Sequence, residues 1–153
     1  MLRDYKWSHF EGGIRVPFLA AYPGVFPAGL EYSKPVSTLD IFPTVAALTG
    51  AKPPQNLDGV NLAPFLKGEK STSPHDALFF SITGSGAVRQ DQWKLVLAPN
   101  GKAQLFDLAN DLEEKHDLSA TEANRVKELT DKWNAWHAQM PPVPPKGKAK
   151  NEE

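Results

Sequence analysis

The chain has 153 residues, is 41% hydrophobic and 23% charged, and carries a formal net charge of −1. That is one domain's length with an ordinary composition; it lacks the basic excess that nucleic-acid binding requires, and no apolar run approaches the ~20 residues that would span a bilayer. The absence of cysteine excludes disulfides, thiolate metal sites and cysteine nucleophiles, and leaves the redox compartment undetermined.

The 14 prolines fall mostly at segment edges and in a terminal cluster, so they punctuate the fold. The first fifteen residues lack periodicity and contain Gly12-Gly13, which predicts a loop; Met1 to Lys6 shows no apolar run of a secretory signal. Val16 to Tyr22, closed by Pro23-Gly24, reads as a short buried strand with Pro17 near its first position. Ser37 to Asp40 offers N-cap groups for a helix carrying Ile41, Phe42, Val45 and Leu48, with Gly50 as its C-terminal left-handed residue. A short apolar turn follows over Leu62 to Leu66, then a polar linker from Lys67 to Pro74. Residues 77–82, 87–90, 93–97 and 104–107 are short, turn-bounded and β-like, predicting an antiparallel meander of about four strands. Ser119 with Glu122 forms a capping-box pattern ahead of a helix whose apolar stripe is Val126, Leu129, Trp133, Trp136 and Met140. Pro141-Pro142 ends it, and the Pro- and Lys-rich remainder reads as disordered. The inventory predicts a small α+β unit with the final helix over one face of the meander. The lone strand near Val16 has no sheet nearby to join, which marks the chain as part of something larger.

Several segments then resemble, in order, the C-terminal half of the sulfatase family within the alkaline-phosphatase-like superfamily. Lys6 followed by Glu11-Gly12-Gly13-Ile14-Arg15-Val16-Pro17 is similar to the block K-x4-E-G-G-x-R-x-P, and Tyr22-Pro23-Gly24 to the W/Y-P-G after it. Asp40-Ile41-Phe42-Pro43-Thr44 with Leu48-Thr49-Gly50 resembles D-x-x-P-T…L-x-G, and Asp58-Gly59 through Gly68 resembles D-G-x-x-L-x-P-x-L-x-G. Arg89 through Trp93-Lys94-Leu95 is similar to the R-x-G-x-W-K-L hairpin, and Leu105 to Leu118 to L-Y-D-L-x-x-D-P-x-E-x-x-N-L, with Leu112 and Asp117 in place of the usual proline and asparagine. The resemblance runs from Lys6 to about Leu118.

The resemblance implies an α/β alkaline-phosphatase-like fold. Residues 1–70 would be the end of the α/β domain, 75–140 a small α+β subdomain with a four-stranded antiparallel sheet and long C-terminal helix, and 141–153 a disordered tail. It also implies hydrolysis of sulfate esters by a formylglycine, made from the cysteine or serine of C/S-x-P-x-R, with a calcium ion. No serine here begins that motif, so nucleophile and calcium ligands are expected upstream, the chain alone is expected to be inactive, and pairing with an N-terminal sulfatase half follows. The implied substrate is a sulfated small molecule or polysaccharide, and intact relatives are usually exported.

Lys6 matches the family's sulfate-contacting lysine, a role that suits a compact ammonium with three donors. His9 is a second candidate for substrate contact near the same pocket. Glu11 and Arg15 read as a structural couple, and Asp40 as a cap. His75, His116 and His137 share no ligand spacing, and no metal is assigned to them. Trp93, Trp133 and Trp136 read as core. Two other classes fit the same residues: a non-catalytic glycan- or partner-binding module, and a fragment of a related phosphoester or phosphonate hydrolase.

Overall fold

The computed structural model describes residues 1–82 and 84–141; the expected tail from residue 142 onward lies outside the described residues. Four strands, β1 (Leu78–Ile82), β2 (Ser85–Gln90), β3 (Trp93–Leu97) and β4 (Ala103–Asp107), form one antiparallel sheet in sequential order. The two-residue reversal Asp91-Gln92 sets the register of its hairpin, with Asp91 in the left-handed region at φ 48°. Gln90 then faces Trp93, Arg89 faces Lys94, and Lys94 faces Phe106. Because side chains alternate across a strand, this register sorts the meander into two faces.

One face presents Val88, Leu95 and Leu105, all fully buried against Leu129 of α4 (Ala123–His137). Val126 and Trp133 of α4 pack around that cluster, Trp136 stacks on Phe79 with ring centroids 5.2 Å apart, and the Trp133 indole N–H donates to the Phe80 carbonyl at 3.3 Å. The three late tryptophans are therefore sheet and helix packing, as their spacing predicts. The other face presents Ala87, Val96 and Phe106 and is covered by Phe10 of the N-terminal loop.

Helix α4 starts later than the sequence predicts. Glu122 is its N-cap, with no side-chain cap, and the capping box of Ser119 and Glu122 does not form. Asp117 Oδ1 accepts from the Leu105 and Ser119 amides at 3.2 and 2.9 Å, while the Leu118 amide donates to the Leu105 carbonyl at 2.8 Å. The Leu118 carbonyl takes the Thr121 and Glu122 amides. These bonds fasten residues 117–122 to β4 as a turn, so Ser119 is committed before a helix can begin there.

The first seventy residues hold α1 (Glu11–Ile14), a 3-10 turn (Thr38–Asp40), α2 (Ile41–Thr49) and α3 (Ala63–Leu66). Ser37 and Asp40 form a capping box, Pro43 lies in the first turn of α2, and Gly50 closes it at φ 74°. Val16 to Tyr22 is in no helix or strand and is not buried among the described residues: Val16 is 63% and Leu19 95% exposed. The expected burial requires a neighbouring strand, and the meander's strands pair with one another.

Candidate functional site

Residues 3–15, a loop that ends in the single turn of α1 where the sequence predicts loop throughout, are fastened to the sheet face opposite α4. At its base Lys94 is fully buried, with Nζ 2.8 Å from Glu11 Oε1 and 2.8 Å from Glu114 Oε1. The contact to Glu11 is a hydrogen bond; the one to Glu114 is an ion pair without hydrogen-bond alignment. Glu114 Oε2 accepts the Glu11 amide at 2.7 Å, and its carbonyl accepts Arg3 Nη1 at 2.7 Å. Glu114 itself sits at φ 54°, a strained backbone held by these partners. Arg15 adds a 3.3 Å contact to Glu11 Oε2, so the expected Glu11–Arg15 couple exists, but the buried partner of Glu11 is Lys94.

Aromatic packing closes the base. The Arg3 guanidinium lies 3.8 Å from the Phe10 ring centroid, and Phe10 meets Phe106 edge-on at 6.0 Å. The Gly12 amide donates to the Arg3 carbonyl at 2.8 Å. A Cβ on Gly12 would collide with the Asp4 carbonyl, and one on Gly13 with the Ser8 carbonyl. The two glycines let the loop fold back on its own backbone.

The outer end of this loop is the turn Tyr5–Ser8, closed by the Ser8 amide donating to the Tyr5 carbonyl at 3.1 Å. Lys6 occupies its second position and is exposed, with Nζ 5.3 Å from the Trp7 ring centroid. His9 follows and is buried, so the two expected contact residues lie on one short loop but in opposite environments. His9 Nδ1 lies 3.5 Å from Ser85 Oγ, while Nε2 is buried without a partner. Burial, and then the charge of Lys94, hold the His9 pKa below its ordinary value, so the ring is neutral near pH 7.

A second polar cluster ties the first seventy residues together. Fully buried Asp40 accepts the Ser37 and Val60 amides at 2.7 and 2.8 Å and His75 Nε2 at 2.9 Å. Thr44 Oγ1 donates to the Asp40 carbonyl and accepts the Leu62 amide. Asp40 is thus more than the cap that the sequence indicates, since it also anchors His75. His116 lies at the surface 3.4 Å from Asp111, and His137 stacks on Trp133. Among the described residues no three His, Asp or Glu side chains converge as metal ligands. The residues present therefore do not form a calcium site, and no formylglycine precursor motif lies among them.

The sequence profile of the family described as "N-sulphoglucosamine sulphohydrolase, C-terminal" matches residues 3–139. The chain belongs to this sulfatase family. Human Arylsulfatase D is 47% identical over 72 residues, covering 46% of this chain and 12% of the relative. Choline-sulfatase of Rhizobium meliloti is 36% identical over 132 residues, covering 82% of this chain and 25% of the relative. The crystal structure of Ps i-CgsB, also solved in complex with k-i-k-neocarrahexaose, superposes with a TM-score of 0.79 at 37% identity over 88% of this chain and 31% of that one. The chain thus spans between about an eighth and a third of the proteins it matches, and its sheet and final helix are those of an alkaline-phosphatase-like sulfatase.

The meander, the long helix and the family were all legible in the sequence. Lys94 and Glu114 were not assigned roles, although both stand in the hairpin and L-Y-D-L segments that carry the resemblance. The missed signal is the alternation: Lys94 shares its sheet face with Val96 and Phe106, and a cation there needs carboxylates.

Proposed function

We propose that this chain is the C-terminal part of a sulfuric ester hydrolase, in which Lys6 contacts the sulfate of the substrate. The observation that carries this reading is the fastening of loop 3–15: a buried Lys94 between Glu11 and Glu114 fixes the loop's base, and the exposed ammonium of Lys6 stands at its tip. A rigid base under a flexible cation limits the ordering needed when an anion binds. Lys6 would neutralise charge on the sulfate and on the leaving oxygen as the ester bond breaks. His9, three residues on, is a neutral ring whose buried Nε2 has no partner, so contact with substrate would require the loop to open around it. Calcium and formylglycine, which membership of the family implies, would be held by residues other than those described.

Residues 1–70 are read as the end of an α/β domain and 75–140 as the subdomain that braces it. Exposed Val16, Leu19, Tyr22, Ile41, Phe42 and Val45 support pairing with an N-terminal sulfatase half, as does a cavity of about 1090 Å3 bordered by Val16, Phe18, Tyr22, Phe80 and Arg89. A sulfated small molecule or polysaccharide is the substrate class.

The isolated chain, given an aryl sulfate and calcium, is expected to show no turnover; activity above a Lys6→Ala control would overturn that expectation. With the N-terminal half joined to it, Lys6→Ala is expected to lower kcat/KM by about 10²–10³-fold, the range for removing one preorganised charge partner. An unchanged kcat/KM would remove Lys6 from the site.

A further inference from the structure

Trp7 is exposed to 77%, whereas the other three tryptophans pack against the sheet or helix α4. It occupies the third position of the Tyr5–Ser8 turn with φ 79°. That position of a type II turn requires positive φ, which glycine and asparagine supply readily. A bulky side chain there is strained, and such strain persists where the surroundings impose it. Here they do: the turn projects from a loop whose backbone is pinned by Gly12, Gly13 and the Lys94 ion pairs. The described residues hold an indole in an unfavourable backbone conformation and leave it uncovered, so neither local preference nor packing among them accounts for it.

What the conformation achieves is adjacency. Lys6 and Trp7 are the two corner residues of one turn, with the ammonium 5.3 Å from the indole centroid. A cation over one face of an exposed indole matches a ligand that joins an anion to a flat hydrocarbon surface. We propose that Trp7 is a stacking platform for the ring of a sulfated pyranose whose sulfate is held by Lys6. The inference rests on the Lys6 reading above and adds a residue that would hold the sugar ring. The C–H face of a pyranose carries slight positive charge and lies against the electron-rich indole, while its hydroxyls stay in water. A linear alkyl sulfate offers no such face.

The test is an NMR titration of the chain, observing the Trp7 indole N–H and the Lys6 Cε, with glucose 6-sulfate, glucose and inorganic sulfate as separate probes. Glucose 6-sulfate is expected to move both signals, inorganic sulfate Lys6 alone, and glucose Trp7 alone and more weakly. Trp7→Gly is expected to weaken glucose 6-sulfate binding by about 3- to 10-fold, the worth of one stacking contact, while raising the urea midpoint because glycine relieves the turn. If glucose 6-sulfate leaves the Trp7 indole where inorganic sulfate leaves it, the platform is overturned and the Lys6 reading stands. If Lys6 ignores both sulfated probes, the sulfate reading falls, and the platform stands or falls on the response of Trp7 to glucose. A Trp7→Gly chain with a lowered midpoint would overturn the strain on which the argument is built.

Discussion

Replacing Lys94 by methionine tests whether the loop's base is held electrostatically. Methionine retains most of the buried stem and removes the ammonium, so packing changes little. Two carboxylates, Glu114 fully buried and Glu11 nearly so, would then face one another without the cation that lies 2.8 Å from each. Breaking a buried pair by removing one partner costs about 3–5 kcal/mol, because the remaining charge must be protonated or hydrated in place. With a urea slope of about 2 kcal/mol per molar, the unfolding midpoint should fall by roughly 1.5–2.5 M. Far-UV circular dichroism and tryptophan fluorescence at low micromolar chain concentration would follow it. The triple change Glu11→Gln, Lys94→Met and Glu114→Gln should recover much of the loss, since it removes charge together with countercharge. A loss under about 1 kcal/mol for Lys94→Met, the range of a solvent-exposed pair, would refute the reasoning.

Three further outcomes are expected. The His9 pKa is lowered in the folded chain by burial and by Lys94, so as pH falls the unfolded chain takes up the proton first. The contribution of His9 to stability is therefore complete above its unfolded pKa of about 6.5 and declines as pH drops from there towards the lower folded value. His9→Gln should flatten the fall in urea midpoint between roughly pH 7.5 and 5.5, and equal slopes for the two proteins would sink the assignment. Gly86→Ala drives a Cβ into the Trp133 indole and should cost about 1–3 kcal/mol with a changed near-UV spectrum; an unaltered midpoint would show that α4 sits further from β2. Asp40→Asn leaves fewer acceptors for the Ser37 and Val60 amides and His75, and is expected to lose about 2–3 kcal/mol locally, read as faster proteolysis between residues 50 and 76. Cleavage there at the wild-type rate would mean that Asp40 does not hold that segment.

What the sequence discloses divides along a physical line. The strands were legible because alternation and short turns are local: β3 falls at residues 93–97 as expected, and β2 and β4 begin only one or two residues earlier than expected. The start of α4 was misread because Ser119 and Glu122 satisfy a local rule, while Asp117 and Leu118 are engaged by β4, more than ten residues upstream. The Val16–Tyr22 segment is left uncovered for a related reason, since its apolar pattern states a need for a neighbouring strand that the described residues do not supply. The site divides in the same way. Lys6 is a candidate only through the family block that joins it to Glu11, whereas the ion pairs beneath it join residues 83 and 103 positions apart, and no local pattern states that Glu11, Lys94 and Glu114 meet. One trace was available. Lys94 shares its face with Ala87, Val96 and Phe106, and a fully buried cation there demands acidic partners from elsewhere in the chain. Glu11 and Glu114 meet that demand from opposite ends of the described chain, and in meeting it they fix the position of the turn that carries Lys6 and Trp7.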